Sequence, residues 1–146
     1  NAKNNTTVTG MQYKAAEGFT LAFQNGWDKE AYTNGKIWQV ATLRPGKYRL
    51  EVTYAYTMVV SDAGNFISAL MAKGNSESDI PNVADIEQLN GVCAIYDKAG
   101  INDDSGILVT PSFEVTETTD VVIGFLTSLA KGNSYFKVTE LKLILE

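Results

Sequence analysis

The dominant pattern along the chain has a period of two. Tyr48, Leu50, Val52, Tyr54, Tyr56 and Met58 share one parity, while Arg49, Glu51, Thr53, Ala55 and Thr57 share the other. A strand with one buried face gives this alternation. A helix would place Tyr48 and Leu50 about 200° apart, with no consistent apolar side. Just upstream, Arg44-Pro45-Gly46-Lys47 reads as a turn, because proline presets φ and glycine accepts φ > 0. Residues 37–43 form a second strand ending at that turn, and the two are expected to pair as an antiparallel hairpin. Further strands are expected at 19–23, 66–72, 92–96, 107–115, 121–129 and 135–145, separated by Asn-Gly and Gly-Asn turns. Many short strands with such punctuation predict an all-β fold, an antiparallel β-sandwich of jelly-roll type with eight or nine strands.

Four local features sharpen this picture. Residues 121–126 are apolar on both parities, as befits a central strand covered on both sides, and Gly124 within them predicts a bend or a close backbone approach. In the last strand Phe136 and Val138 have even parity, whereas Leu141, Leu143 and Leu145 have odd parity. One face holds both sets only if a bulge intervenes near Thr139-Glu140. Residues 76–88 are the least strand-like and suit one short helical turn with Asp85 as N-cap. Trp38 lies within a strand and is expected in the core.

Composition narrows the function. The 146 residues suit one domain, with 1–17 expected as a loosely ordered N-terminal segment. There are 12 basic and 17 acidic residues, a formal charge of −5 and no histidine. The acidic balance argues against nucleic acid and anionic membrane surfaces. The missing histidine removes Ser-His-Asp and Cys-His catalysis and His-rich zinc sites. No apolar run approaches the roughly 20 residues that span a bilayer, so direct membrane insertion is not expected. Cys93 is alone in an apolar stretch and reads as a small buried hydrophobe. The chain opens Asn1-Ala2-Lys3 rather than with Met, which reads as a processed product or an excised domain.

Residues 38–52 (WQVATLRPGKYRLEV) resemble a strand–turn–strand of carbohydrate-binding modules with the galactose-binding-like jelly roll. Residues 112–115, 122–125 and 135–143 are similar to the closing strands of those modules. The likeness covers residues 18–146. The whole resembles the C-terminal domain of surface lipoproteins from gut Bacteroidetes, a family of uncharacterised function. The resemblance implies an extracytoplasmic domain, at the cell surface or in the periplasm, attached to other domains of a parent protein. It implies a glycan ligand on loops at one end of the sandwich, and structural calcium with no ligands assignable here.

Sugar binding needs an aromatic plate for the apolar face of a pyranose and planar hydrogen-bonding groups for its hydroxyls. Residues 25–35 supply both: Trp27 as platform, with Asp28, Glu30, Tyr32 and Asn34 between two Asn-Gly turns. The same residues would equally let Trp27 plug one end of the core while Tyr32 covers the sheet. A second cluster holds Tyr96, Asn102 and Asp103, the last beside Asp104. It suits the same end of the sandwich, a cation, since calcium prefers oxygen ligands, or simply a solvated turn. Its spacing does not match an EF-hand loop. Phosphate-binding glycine loops are absent, and no carboxylate pair stands out as a glycosidase acid and base, so no enzymatic activity is expected. The leading expectation is a non-catalytic carbohydrate-binding domain. The alternative is a structural or protein-interaction domain, which would show an exposed apolar patch or an unpaired edge strand.

Overall fold

The computed structural model describes residues 10–14, 20–25, 31–55, 64–88, 93–96, 105–130 and 134–146. Within them lie ten strands: β1 (Gly10–Lys14), β2 (Thr20–Asn25), β3 (Tyr32–Leu43), β4 (Gly46–Ala55), β5 (Phe66–Lys73), β6 (Cys93–Tyr96), β7 (Ser105–Val109), β8 (Phe113–Val115), β9 (Thr119–Leu129) and β10 (Ser134–Leu145). One sheet runs β1-β2-β10-β4-β7, with β8 also on β4, and the other runs β3-β9-β5-β6. Every described pairing is antiparallel. Strands β7 and β8 are two pieces of one path along β4, so the expected single run 107–115 is interrupted. At the break Thr110 takes over the ladder: its N–H donates to the Leu50 carbonyl at 3.0 Å and its hydroxyl accepts the Leu50 N–H at 2.8 Å. Pro111, which follows, has no N–H to continue the pairing. Counted as one, β7 and β8 complete an eight-stranded jelly roll, β2-β10-β4-β7 against β3-β9-β5-β6. Strand β1, which the pattern did not predict, extends the first sheet.

The expected hairpin between residues 37–43 and the strand after Pro45 does not form. Strand β3 pairs with β9 in one sheet, whereas β4 pairs with β10 and β7 in the other. Two-residue hairpin loops need positive φ at their first central residue, and proline fixes φ near −65°. Gly46 does not adopt positive φ and already belongs to β4. Arg44-Pro45 is therefore a corner that carries the chain between sheets. The Tyr48 hydroxyl, donating to the Arg44 carbonyl at 2.8 Å, ties it down.

The alternation in β4 is confirmed: Tyr48, Leu50 and Val52 are buried with Phe23, Ile67, Met71, Val121, Ile123, Phe125, Phe136 and Val138 between the sheets. Phe23 and Phe125 meet across the sandwich with ring centroids 5.2 Å apart. Strand β9 is buried on both faces, as its sequence implies. Its outer side chains Val122 and Leu126 join Leu70 and Ala72 beneath Ile80 and Ile86. That cover comes from residues 76–88, which form two 3₁₀ segments, Glu77–Asp79 and Val83–Gln88, rather than one turn. Asp85 lies inside the second and its N–H bonds the Asn82 carbonyl, so it is not an N-cap. A side chain at Gly124 would collide with the Ile37 carbonyl and with Trp38, the close approach expected there. The predicted bulge is present, as a register shift between Val138 and Glu140.

Candidate functional site

The bulge in β10 has a consequence for the surface. It returns Leu141, Leu143 and Leu145 to the inward parity, opposite Val52, Leu50 and Tyr48 of β4. The other sheet does not cover them all. Leu143 is 38% exposed and Leu145 62%. Leu141 and Leu143 form one wall of a groove of about 470 Å³ between the sheets. The opposite wall is β3 with its neighbour β9: Ile37, Ala41, Ile123 and Phe125. Leu50 also lines the groove.

Among the described residues one polar side chain breaks this apolar lining. Gln39 is registered against the core residue Ile123, which puts it on the inner face between Ile37 and Ala41. Its carboxamide makes no hydrogen bond to any described residue. An amide on the buried parity of a strand is a poor choice for packing, since an unpaired polar group loses its water without compensation. It is tolerated here because the groove leaves Gln39 exposed.

Trp38 sits next to Gln39 and also lines the groove. The expectation that it is core is corrected: it is 38% exposed. The reason is its place on the outer parity of a strand that, among the described strands, pairs on one side only. Residues 76–88 shield the outer face of β9 and reach β3 at Lys36, whose Nζ donates to the Ile80 carbonyl at 2.7 Å. Trp38 and Val40 remain exposed.

The residues proposed from the sequence fare differently. Tyr32 opens β3 with its hydroxyl 2.9 Å from Thr127 Oγ1. The residue keeps some surface in solvent, but that hydroxyl meets a fully buried threonine, and burial raises its pKa well above the usual tyrosine value while the Thr127 bond opposes the rise. Asn34 adopts φ 52°, where the β3–β9 register shifts between Tyr32 and Gly35. Asparagine tolerates this left-handed backbone better than most residues. Its N–H donates to Ser128 Oγ, and its Oδ1 accepts the Val83 N–H, both at 2.9 Å. Tyr32 and Asn34 are thus close on one strand and both hold structure. Tyr96 ends β6 opposite Ile67, with its side chain outside the described residues. Trp27, Asp28, Asn102 and Asp103 lie outside them altogether. Among the described residues no three potential metal-binding side chains gather.

Sequence reasoning missed the groove. Its signal was present as a glutamine on the apolar parity of residues 37–41 and as odd-parity leucines after the bulge. What no pattern shows is that these two stretches face each other.

A model described as "Domain of unknown function (DUF5013)" matches residues 1–124. No curated protein sequence matches the chain. Among solved structures it is similar to the EclA C-terminal domain, a sugar-binding protein. The identity is 15%, with 99% of this chain and 90% of that chain covered and a TM-score of 0.43. A likeness of this size carries no ligand over to this chain.

Proposed function

We propose that the chain, which belongs to the DUF5013 family by the match over residues 1–124, is a non-catalytic glycan-binding domain that holds a sugar in the groove between β3 and β10. The observation carrying this reading is an apolar groove whose inner β3 wall carries Gln39, an amide with no hydrogen-bond partner among the described residues, and whose rim carries Trp38, which starts from the outer face of the same edge strand. A pyranose has the matching character, with C–H faces for the aliphatic walls, an edge for Trp38 at the rim and hydroxyls for the carboxamide. The volume lies within the range of small-molecule sites. Among the described residues no Asp or Glu lines the groove. Trp27 and its neighbours remain part of the proposal as a second contact. An extracytoplasmic setting belongs to it too, supported by the resemblance of residues 38–52 and 112–143 to surface modules.

Retention on immobilised polysaccharides tests this. Trp38→Ala is expected to abolish retention on a responsive glycan while melting changes by no more than a few degrees. Binding unmoved by Trp38→Ala but lost in Trp27→Ala would transfer the site to the 25–35 loop. No retention on any polysaccharide would sink the glycan reading.

One observation favours a protein-interaction domain instead. Ile107 and Val109 on β7 are 62% and 51% exposed, on a strand that pairs only with β4 among the described strands. Exposed apolar side chains on an edge strand suit a partner's strand. If that reading holds, lysine substitutions at both positions abolish partner association and leave sugar retention unchanged.

A further inference from the structure

Resting on the glycan reading above, we propose that the groove selects a neutral 2-acetamido sugar over its hydroxyl counterpart. The argument is the balance of its lining. Among the described residues Ile37, Ala41, Leu50, Ile123, Phe125, Leu141 and Leu143 supply apolar surface, against one side-chain amide, Gln39. A hexose with a full set of hydroxyls would place several of them against aliphatic carbon, and each hydroxyl so buried loses its water without a replacement partner. An acetamido group reverses that balance. Its methyl is apolar and gains by leaving water. Its amide has one N–H and one carbonyl, matching the carbonyl and NH₂ of a glutamine carboxamide.

Charge narrows the class further. Among the described residues no Lys, Arg, Asp or Glu lines the groove. A uronic or sialic acid would find no cation among those residues and would approach a chain of net charge −5. A free amino sugar would find no carboxylate. The neutral acetamide fits a lining that is itself neutral.

Two ligand pairs differing at the C2 substituent provide the test: chitotriose against cellotriose, and N-acetylgalactosamine against galactose. Isothermal titration should show at least tenfold tighter binding of the acetamido member in one pair, a difference of about 1.4 kcal/mol. Gln39→Leu should bring the two members of that pair close to parity, and Leu143→Ser should narrow the gap. Both side chains are exposed, so unchanged circular dichroism is expected. If either variant unfolds, the indole N–H resonance of Trp38 in the unaltered protein decides: it should shift with the acetamido ligand at concentrations where the hydroxyl analogue leaves it in place. Equal affinity within both pairs, lost in Trp38→Ala, overturns the acetamido inference and leaves the glycan reading standing. A preference that survives Gln39→Leu overturns the assignment to this groove. Binding of none of the four ligands overturns the inference, and polysaccharide retention then judges the glycan reading separately.

Discussion

Strands β3 and β9 are hydrogen-bonded neighbours, both rich in apolar residues, and they meet opposite fates. Every residue of β9 from Val121 to Leu129 is buried, whereas Trp38, Gln39 and Val40 in the middle of β3 are exposed. The difference lies in position. Strand β9 has β3 on one side, β5 on the other, the core beneath it and the 3₁₀ segments above. Strand β3 pairs only with β9 among the described strands, and the groove undercuts it. Apolar content therefore marks what must be covered in β9 and what remains available for a ligand in β3.

The contrast predicts unequal sensitivity. The largest effect is expected from Phe125→Ala on β9, about 3–5 kcal/mol of lost stability for a buried aromatic, measured by denaturant unfolding. Val40→Ser on β3 should stay within about 0.5 kcal/mol, as usual for a surface change. Similar losses at the two positions would erase the distinction. Gly124→Ala comes next. Its new methyl must displace the Ile37 backbone and Trp38, at a cost of about 1–3 kcal/mol, and it should also weaken sugar retention by distorting β3 at the groove.

Alkaline titration probes the seam between the two strands. Tyr32 on β3 has its pKa raised by burial beside Thr127 on β9. A raised folded value means that the neutral form is favoured in the native state. The resulting stability is fully present below the unfolded tyrosine value, about 10, and is lost as pH rises toward the folded one. Melting curves above that value should therefore fall more steeply for the unaltered protein than for Tyr32→Phe. Identical slopes would show that the hydroxyl is not enclosed at this seam.

The smallest effect concerns the cover over β9. Asp79 accepts hydrogen bonds from the N–H groups of Ser76 and Asn75 and from the Ser76 hydroxyl, in that order of influence, and these hold its carboxyl below the usual range. A lowered folded value contributes stability that is present above the unfolded carboxylate range and lost as pH falls through the folded value. Asp79→Asn should flatten the acid limb of the melting profile slightly, with any loosening confined to residues 74–86 by hydrogen exchange. Unchanged acid behaviour would mean that the cover does not depend on this carboxylate.

The fold was legible in the sequence to the extent that each strand's faces were. Parity placed Tyr48, Leu50 and Val52 inside, doubled apolarity placed β9 at a sheet centre, and mismatched parity located the bulge before Glu140. The site was legible only in fragments. Gln39 and Leu143 are more than a hundred positions apart, and neither is unusual alone. Trp38 looked like core because a tryptophan in a strand ordinarily finds cover, and β3 lacks it on its outer face.

Periodicity by itself determined the all-β class, the strand faces and the positions where the ladder is disturbed, because these follow from local backbone geometry and from which side chains avoid water. Which strands pair, that Pro45 turns the chain into the opposite sheet, and that β3 and the end of β10 enclose an open groove were decided only by the tertiary structure. Pairing partners are chosen by contacts between segments far apart in the chain, and a strand's own alternation is equally satisfied by any neighbour that buries the same face.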